Sequence, residues 1–142
     1  MSNNILKNKG KARALVFTCI DPRFISQTTT FLNGYKDLHQ DYDLFVLAGS
    51  ELGALTNETF NSALDEHIQI AIDLHKIKKV ICISHMDCGY YKIYYEKKKD
   101  DDIHQHQENQ LKLKDAIKDK YPKLKFESYI MDTDGNIHKN KL

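Results

Sequence analysis

The sequence predicts an α/β fold: a parallel β-sheet flanked by helices, with an antiparallel edge strand at the C-terminus. Two observations lead there. Four short runs, residues 13–18, 44–48, 79–84 and 124–131, are almost continuously apolar, as strands buried on both faces are. Between them lie stretches whose apolar residues recur at helical spacing, and alternating strands and helices make a parallel sheet covered on both sides.

The elements follow in order. Residues 13–18 (RALVFT) form a first strand that ends at Cys19. Residues 24–38 read as a helix, weakened by Thr28-Thr29-Thr30, whose β-branched side chains lose rotamers there. Residues 44–48 (LFVLA) form a second strand, closed by Gly49. Residues 58–76 give the clearest helix, with Phe60, Ala63, Leu64, His67, Ile68, Ala71 and Ile72 on one stripe and Thr56 or Asn57 as cap. Residues 79–84 (KVICIS) form a third strand ending at His85. Residues 107–120 predict another helix, stopped by Pro122. Residues 124–131 form a fourth strand, and the turn 133–136 sends Ile137 back as the antiparallel edge. The expected organisation is a flexible segment, residues 1–11, and a single domain, residues 12–142.

Composition narrows the function classes. With 142 residues, 41% hydrophobic and 29% charged, the chain can bury a real core. A net charge of +1 provides no bulk attraction to nucleic acid or to a membrane surface. No apolar run reaches the roughly 18 residues that span a bilayer. Residues 1–11 are polar and basic, without the apolar centre of a secretory signal, so the expected location is cytoplasmic. Three cysteines in that reducing setting point to metal or redox chemistry rather than a disulfide framework.

Two segments carry the chemistry: Cys19-Ile20-Asp21-Pro22-Arg23 and His85-Met86-Asp87-Cys88-Gly89. Each follows a predicted strand. Ligands bind beyond the carboxyl ends of strands in an open parallel sheet, so neighbouring first and third strands would bring the two segments together. Two cysteines and one histidine make a three-ligand zinc site with its fourth position open, the pattern of catalytic zinc. The spacing His-x-x-Cys lets one tight turn present two ligands, and Gly89 is expected to supply the sharp backbone geometry. Asp21 and Arg23 supply a carboxylate and the planar fork that orients it.

These residues resemble the β-class carbonic anhydrases, whose signature is Cys-x-Asp-x-Arg after the first strand and His-x-x-Cys-Gly after a later one. Cys19, Asp21 and Arg23, then His85, Cys88 and Gly89, match it. Val46-Leu47-Ala48-Gly49-Ser50 resembles that family's Arg-Asn-Ala-Gly-Asn segment without its first two side chains, and the likeness runs in order over residues 12–138. The resemblance implies Zn2+ on Cys19, His85 and Cys88, reversible hydration of carbon dioxide to bicarbonate, and zinc-bound hydroxide oriented by the catalytic pair Asp21 and Arg23. It also implies a homodimer or dimer of dimers. Carbonyl sulfide or carbon disulfide hydrolysis on the same scaffold, and a catalytically silent zinc-binding domain, are the alternatives. The short chain, the absence of tryptophan and Pro22 where the family often has serine are departures that leave the five central residues intact.

Other candidates have plainer readings. Cys82 lies inside the third strand and reads as core. His67 and His75 fall on the stripe of the long helix and read as satisfied core or interface residues. His104 and His106 alternate with polar residues and read as solvated loop, as does the charge block 97–102. Asp87 reads as exposed or turn-capping. Tyr90, Tyr91, Tyr94 and Tyr95 form an aromatic patch for a core, a partner or a pocket wall. Together with the helix 58–75, that patch is the expected assembly surface.

Overall fold

The computed structural model describes residues 10–99 and 102–142; the segment expected to be flexible therefore lies outside the described residues as far as residue 9. Five strands form one sheet: β1 (Ala14–Thr18), β2 (Tyr42–Val46), β3 (Lys79–His85), β4 (Lys125–Met131) and β5 (Ile137–Asn140). Their order is β2-β1-β3-β4-β5. The first four run parallel, and β5 pairs antiparallel with β4 through Met131 and Ile137. β1 and β3 are direct neighbours, with Phe17 opposite Cys82.

The period of two in each strand divides the core. Leu15, Phe17, Val80 and Cys82 face one side and pack with Leu64, Ile68, Leu113 and Ile117. Those partners come from α3 (Glu58–Ile70) and α5 (Ile103–Lys120). Ala14, Val16, Ile81 and Ile83 face the other side and pack with Phe24, Phe31 and Leu32. That layer belongs to α1 (Ile25–Thr30), entered through a 3₁₀ turn at Pro22–Phe24 and continued by a π-helical turn at Phe31–Tyr35. Thr28 and Thr29 bond back to the carbonyls of Phe24 and Ile25 at 2.7 and 3.0 Å, so the threonine run is absorbed by the helix rather than breaking it.

α3 starts as anticipated. The Asn57 side chain accepts the amide of Phe60 at 3.1 Å, and the helix runs on through a π turn at Ala71–His75 until Lys76 turns left-handed at φ +59°. The two histidines of this segment are satisfied at the surface, not in the core. His67 bonds the carbonyl of Ala63 at 2.7 Å, and His75 pairs with Asp43 at 2.7 Å.

Four expectations are corrected. β2 begins at Tyr42, two residues before the apolar run, and is an edge strand; Leu44 and Val46 are 55% and 46% exposed. Apolarity alone could not separate a strand covered on both faces from one with an open face. α5 begins at Ile103 rather than residue 107, because Asp102 caps it by accepting the amides of His104 and Gln105. His106 is thus a helical residue with no exposed surface, not a loop residue; in the charge block, Asp100 and Asp101 lie outside the described residues. The turn beside Cys88 takes its left-handed residue at Asp87, φ +57°, and not at Gly89. Two short helices, α2 (Glu51–Thr56) and α4 (Gly89–Tyr94), were not anticipated.

The β4–β5 turn is organised by Asp132. One carboxylate oxygen accepts the amides of Asp134 and Asn136, both at 2.9 Å, and the other meets His138 at 2.8 Å. His138 first, then the backbone donors against a small burial penalty, hold this carboxyl at about 2, below its ordinary 3.8. A depressed folded-state value contributes stability above the unfolded value that is lost as pH falls through the folded one. Amide protection in residues 137–140 is therefore expected to decline between pH 4 and 2. Asp132→Ala should lower that protection already at neutral pH and flatten its decline, measured by hydrogen exchange.

Candidate metal centre

β1 and β3 end side by side, and the chain leaves each in a tight turn toward the same edge of the sheet. After β1 the extended Asp21 turns into Pro22–Phe24, its carboxylate accepting the Arg23 amide at 2.9 Å; proline at the first position is preset for that turn. After β3, the left-handed Asp87 swings Cys88 back over the sheet edge. Cys19, His85 and Cys88 converge as a result. Their ligand atoms lie within 4.8 Å of one another, with the two sulfurs 4.0 Å apart.

The set is prepared for a cation. His85 is buried and stacks on Phe24 with ring centroids 4.2 Å apart. Its Nδ1–H donates to the carbonyl of Met86 at 2.8 Å, which leaves the Nε2 lone pair facing the sulfurs. That Nε2 is buried and has no hydrogen-bond partner, although buried polar atoms are nearly always paired. The Cys19 thiol is lowered from 9.0 to about 4, by Cys88 first and also by the Gly49 amide, against an opposing burial effect. The hydrogen bond that Cys88 makes to Cys19, then burial and the Cys19 charge, push the Cys88 thiol up. Two thiols competing for one proton and an imidazole with an idle lone pair form a donor set that could hold a metal ion, and zinc chemistry suits it.

The loop after β2 closes over Cys19. The Gly49 amide donates to its Sγ at 3.4 Å. Gly49 has φ +77°, and a Cβ there would sit 2.5 Å from the Tyr90 ring, so no other residue fits. Ser50 follows at φ 50° and ψ −120°, a sparsely populated conformation, and is held by its hydroxyl bond to the Ile83 carbonyl at 2.8 Å.

Asp21 and Arg23 flank the donor set. Arg23 Nη2 meets one Asp21 oxygen at 2.8 Å and Nε the other at 3.1 Å. The Arg23 fork holds the Asp21 carboxyl at about 2, below its usual 3.8, against a small burial penalty, so Asp21 is an acceptor only. Its Oδ2 lies 3.8 Å from His85 Nε2. Arg23 is also gripped by Asp87, through the carboxylate at 2.8 Å and the carbonyl at 2.9 Å, and Lys92 pairs with Asp87 at 2.5 Å. Asp87 thus has a definite place as a second carboxylate partner for Arg23.

The other sequence candidates separate cleanly. Burial first, then Glu51, pushes the Cys82 thiol well up, and it donates to the Glu51 carboxyl, 3.6 Å away, rather than joining the cluster. Tyr91 is core, Tyr94 is half exposed, and Tyr90 lies over Gly49 with its hydroxyl 2.9 Å from that of Thr56. Unforeseen was the polar set Glu51, His106 and Asn109, buried behind α4. The signal for it was present: His106, Asn109, Gln110, Leu113 and Ile117 share one buried face of α5, a stripe hidden by counting only apolar residues. An apolar cavity of about 230 Å³ opens at Cys19, lined by Ile20, Phe24, Leu44 and Val46 among others and by no Asp, Glu, Lys or Arg. A larger cavity of about 850 Å³ lies between the π turn after α1 and β5, away from the cysteines.

Cys88→Ser should strip most bound divalent metal from the purified protein, whereas Cys82→Ser should leave metal content per chain unchanged. Elemental analysis after equilibration with zinc checks this, and the opposite pattern would mean that the wrong thiol has been assigned.

Comparison with known proteins agrees with the geometry. Residues 9–139 match the family model described as "Putative carbonic anhydrase". An uncharacterized protein of Rickettsia bellii (strain RML369-C) is 33% identical over 96% of this chain and 87% of its own length. An uncharacterized protein of Rickettsia conorii (strain ATCC VR-613 / Malish 7) is 31% identical over 96% of this chain and 76% of its own. With nearly its whole length matched, the chain belongs to the family described as putative carbonic anhydrases.

Proposed function

We propose that this protein is a zinc-dependent carbonic anhydrase of the β class, interconverting carbon dioxide and bicarbonate. One observation carries the reading. The partnerless buried Nε2 of His85 faces two converging sulfurs, with an Arg-held carboxylate 3.8 Å away. Cys19, His85 and Cys88 would hold Zn2+, which when bound makes a water acidic near pH 7.

The chain's own residues do the rest. Asp21, kept ionised by Arg23, accepts a hydrogen bond from the attacking water and fixes its direction. Arg23 holds the Asp21 carboxylate in its own fork, so that Asp21 would not itself be drawn onto a bound ion. Asp87, with Lys92 behind it, anchors the other side of the guanidinium. The cavity at Cys19 is lined mainly by apolar side chains and by no Asp, Glu, Lys or Arg, which suits a small neutral molecule. Thiol ligands call for a reducing compartment, consistent with the cytoplasm.

Arg23→Ala and Asp21→Asn should each keep zinc yet lower the carbon dioxide hydration rate at least about tenfold, equivalent to ~1.4 kcal/mol in the barrier. Stopped-flow hydration assays between pH 7 and 9, with carbonyl sulfide as competitor, test both the reaction and the choice of substrate. Wild-type rates in Arg23→Ala would sink the dyad mechanism.

The same reading includes assembly as a homodimer or dimer of dimers. Ile20, Ile25, Leu44 and Val46 are 59%, 59%, 55% and 46% exposed. They border the cavity at Cys19, beside the edge strand β2, which among the described strands pairs with β1 alone. Such a patch favours a self-complementary partner over water. Of the tyrosine patch, Tyr91 is core and Tyr94 is half exposed. Sedimentation should show a dimer at micromolar concentration, and Leu44→Lys should shift it toward monomer.

A further inference from the structure

We propose that Glu51, Tyr91 and His106 form a buried positioning set that fixes the distance between the two thiol ligands. The proposal rests on the reading of Cys19, His85 and Cys88 as metal ligands. Glu51 and His106 have no exposed surface, and Tyr91 has 1%. The Tyr91 hydroxyl donates to Glu51 Oε1 at 2.5 Å and accepts from the Asn109 amide at 3.2 Å. The Tyr91 ring stacks on His106 with centroids 3.8 Å apart, and His106 Nδ1 lies 3.3 Å from the same Glu51 oxygen. Cys82 reaches the second oxygen at 3.6 Å. A carboxyl buried this deeply is costly unless every partner is present, so the set acts as one unit.

Its placement gives it a task. Glu51 opens α2 two residues after Gly49, whose amide holds the Cys19 sulfur at 3.4 Å. Tyr91 stands three residues after Cys88, and Tyr91, Cys88 and Leu52 form one buried cluster with Cys19 packed against it. The Glu51–Tyr91 bond therefore ties the segment behind one thiol to the segment carrying the other. The sheet cannot do this, because Gly49 and Cys88 both lie outside the strands. α4 has only six residues and cannot define its own position by helical rigidity. Residues that orient ligands from outside in this way commonly govern metal affinity.

The test is zinc affinity by chelator competition, beside the melting temperature of the metal-free protein. Tyr91→Phe keeps the ring and loses the hydroxyl; its zinc affinity should fall at least about tenfold. Glu51→Gln preserves an acceptor for the phenol and should stay close to wild type, whereas Glu51→Leu should fall with Tyr91→Phe. Ile117→Val thins the separate core that α5 packs with Leu15, Phe17 and Leu113, away from the ligands, and should lower the melting temperature without changing affinity. A purely structural role would make Tyr91→Phe behave like Ile117→Val, and that result overturns the proposal. If Tyr91→Phe does not fold, Glu51→Gln and Glu51→Leu carry the same comparison, and equal affinities in the two overturn it. Wild-type protein that binds no zinc overturns the metal reading itself, and this inference with it.

Discussion

The direct parallel pairing of β1 with β3 is the contact on which the rest depends. It sets Phe17 opposite Cys82 and so places the two chain exits at one edge of the sheet. Every ligand candidate lies on one of those exits. An intervening strand would add nearly 5 Å between the exits, enough to carry the sulfurs out of reach of a common ion. The core of both layers is laid down around the same pair: Leu15 and Phe17 on one face, Ala14 and Val16 on the other, all at or below 1% exposure. Stability and site geometry thus come from the same residues.

Much of this was legible beforehand. Continuous apolar runs identified β1 and β3, and the ligand pattern needed only their adjacency to become a site. What could not be read was of two kinds. β2 was displaced by two residues because Leu44 and Val46 look buried in sequence but face outward. The first turn of α5 was lost because its inward face is polar, His106 and Asn109 rather than leucine, and because the cap that starts it, Asp102, ends a run of charges. Hydrophobic periodicity cannot see a helix face that is buried by hydrogen bonds.

The two sides of the donor set differ in physical character. Toward the rim, Asp21, Arg23, Asp87 and Lys92 form a chain of ion pairs that is partly open to solvent. Between α4 and α5, Glu51, Tyr91, His106 and Asn109 are linked in a closed, buried environment. Water can rearrange around the first group with little penalty, whereas the second has one satisfactory arrangement. A mobile rim and a fixed back wall thus meet at the same three donor atoms.

The 4.0 Å separation of the Cys19 and Cys88 sulfurs has a consequence of its own. A covalent bond between them would need about 2.05 Å, a modest approach for two turns that are not locked in strands. The same thiolate character that favours a metal also favours oxidation. A metal ion held here and a sulfur–sulfur bond would compete for one pair of atoms, and a bound ion would shield both sulfurs from oxidants. Loss of the ion in an oxidising environment would close the site chemically, and a reductant would have to act before it could be filled again.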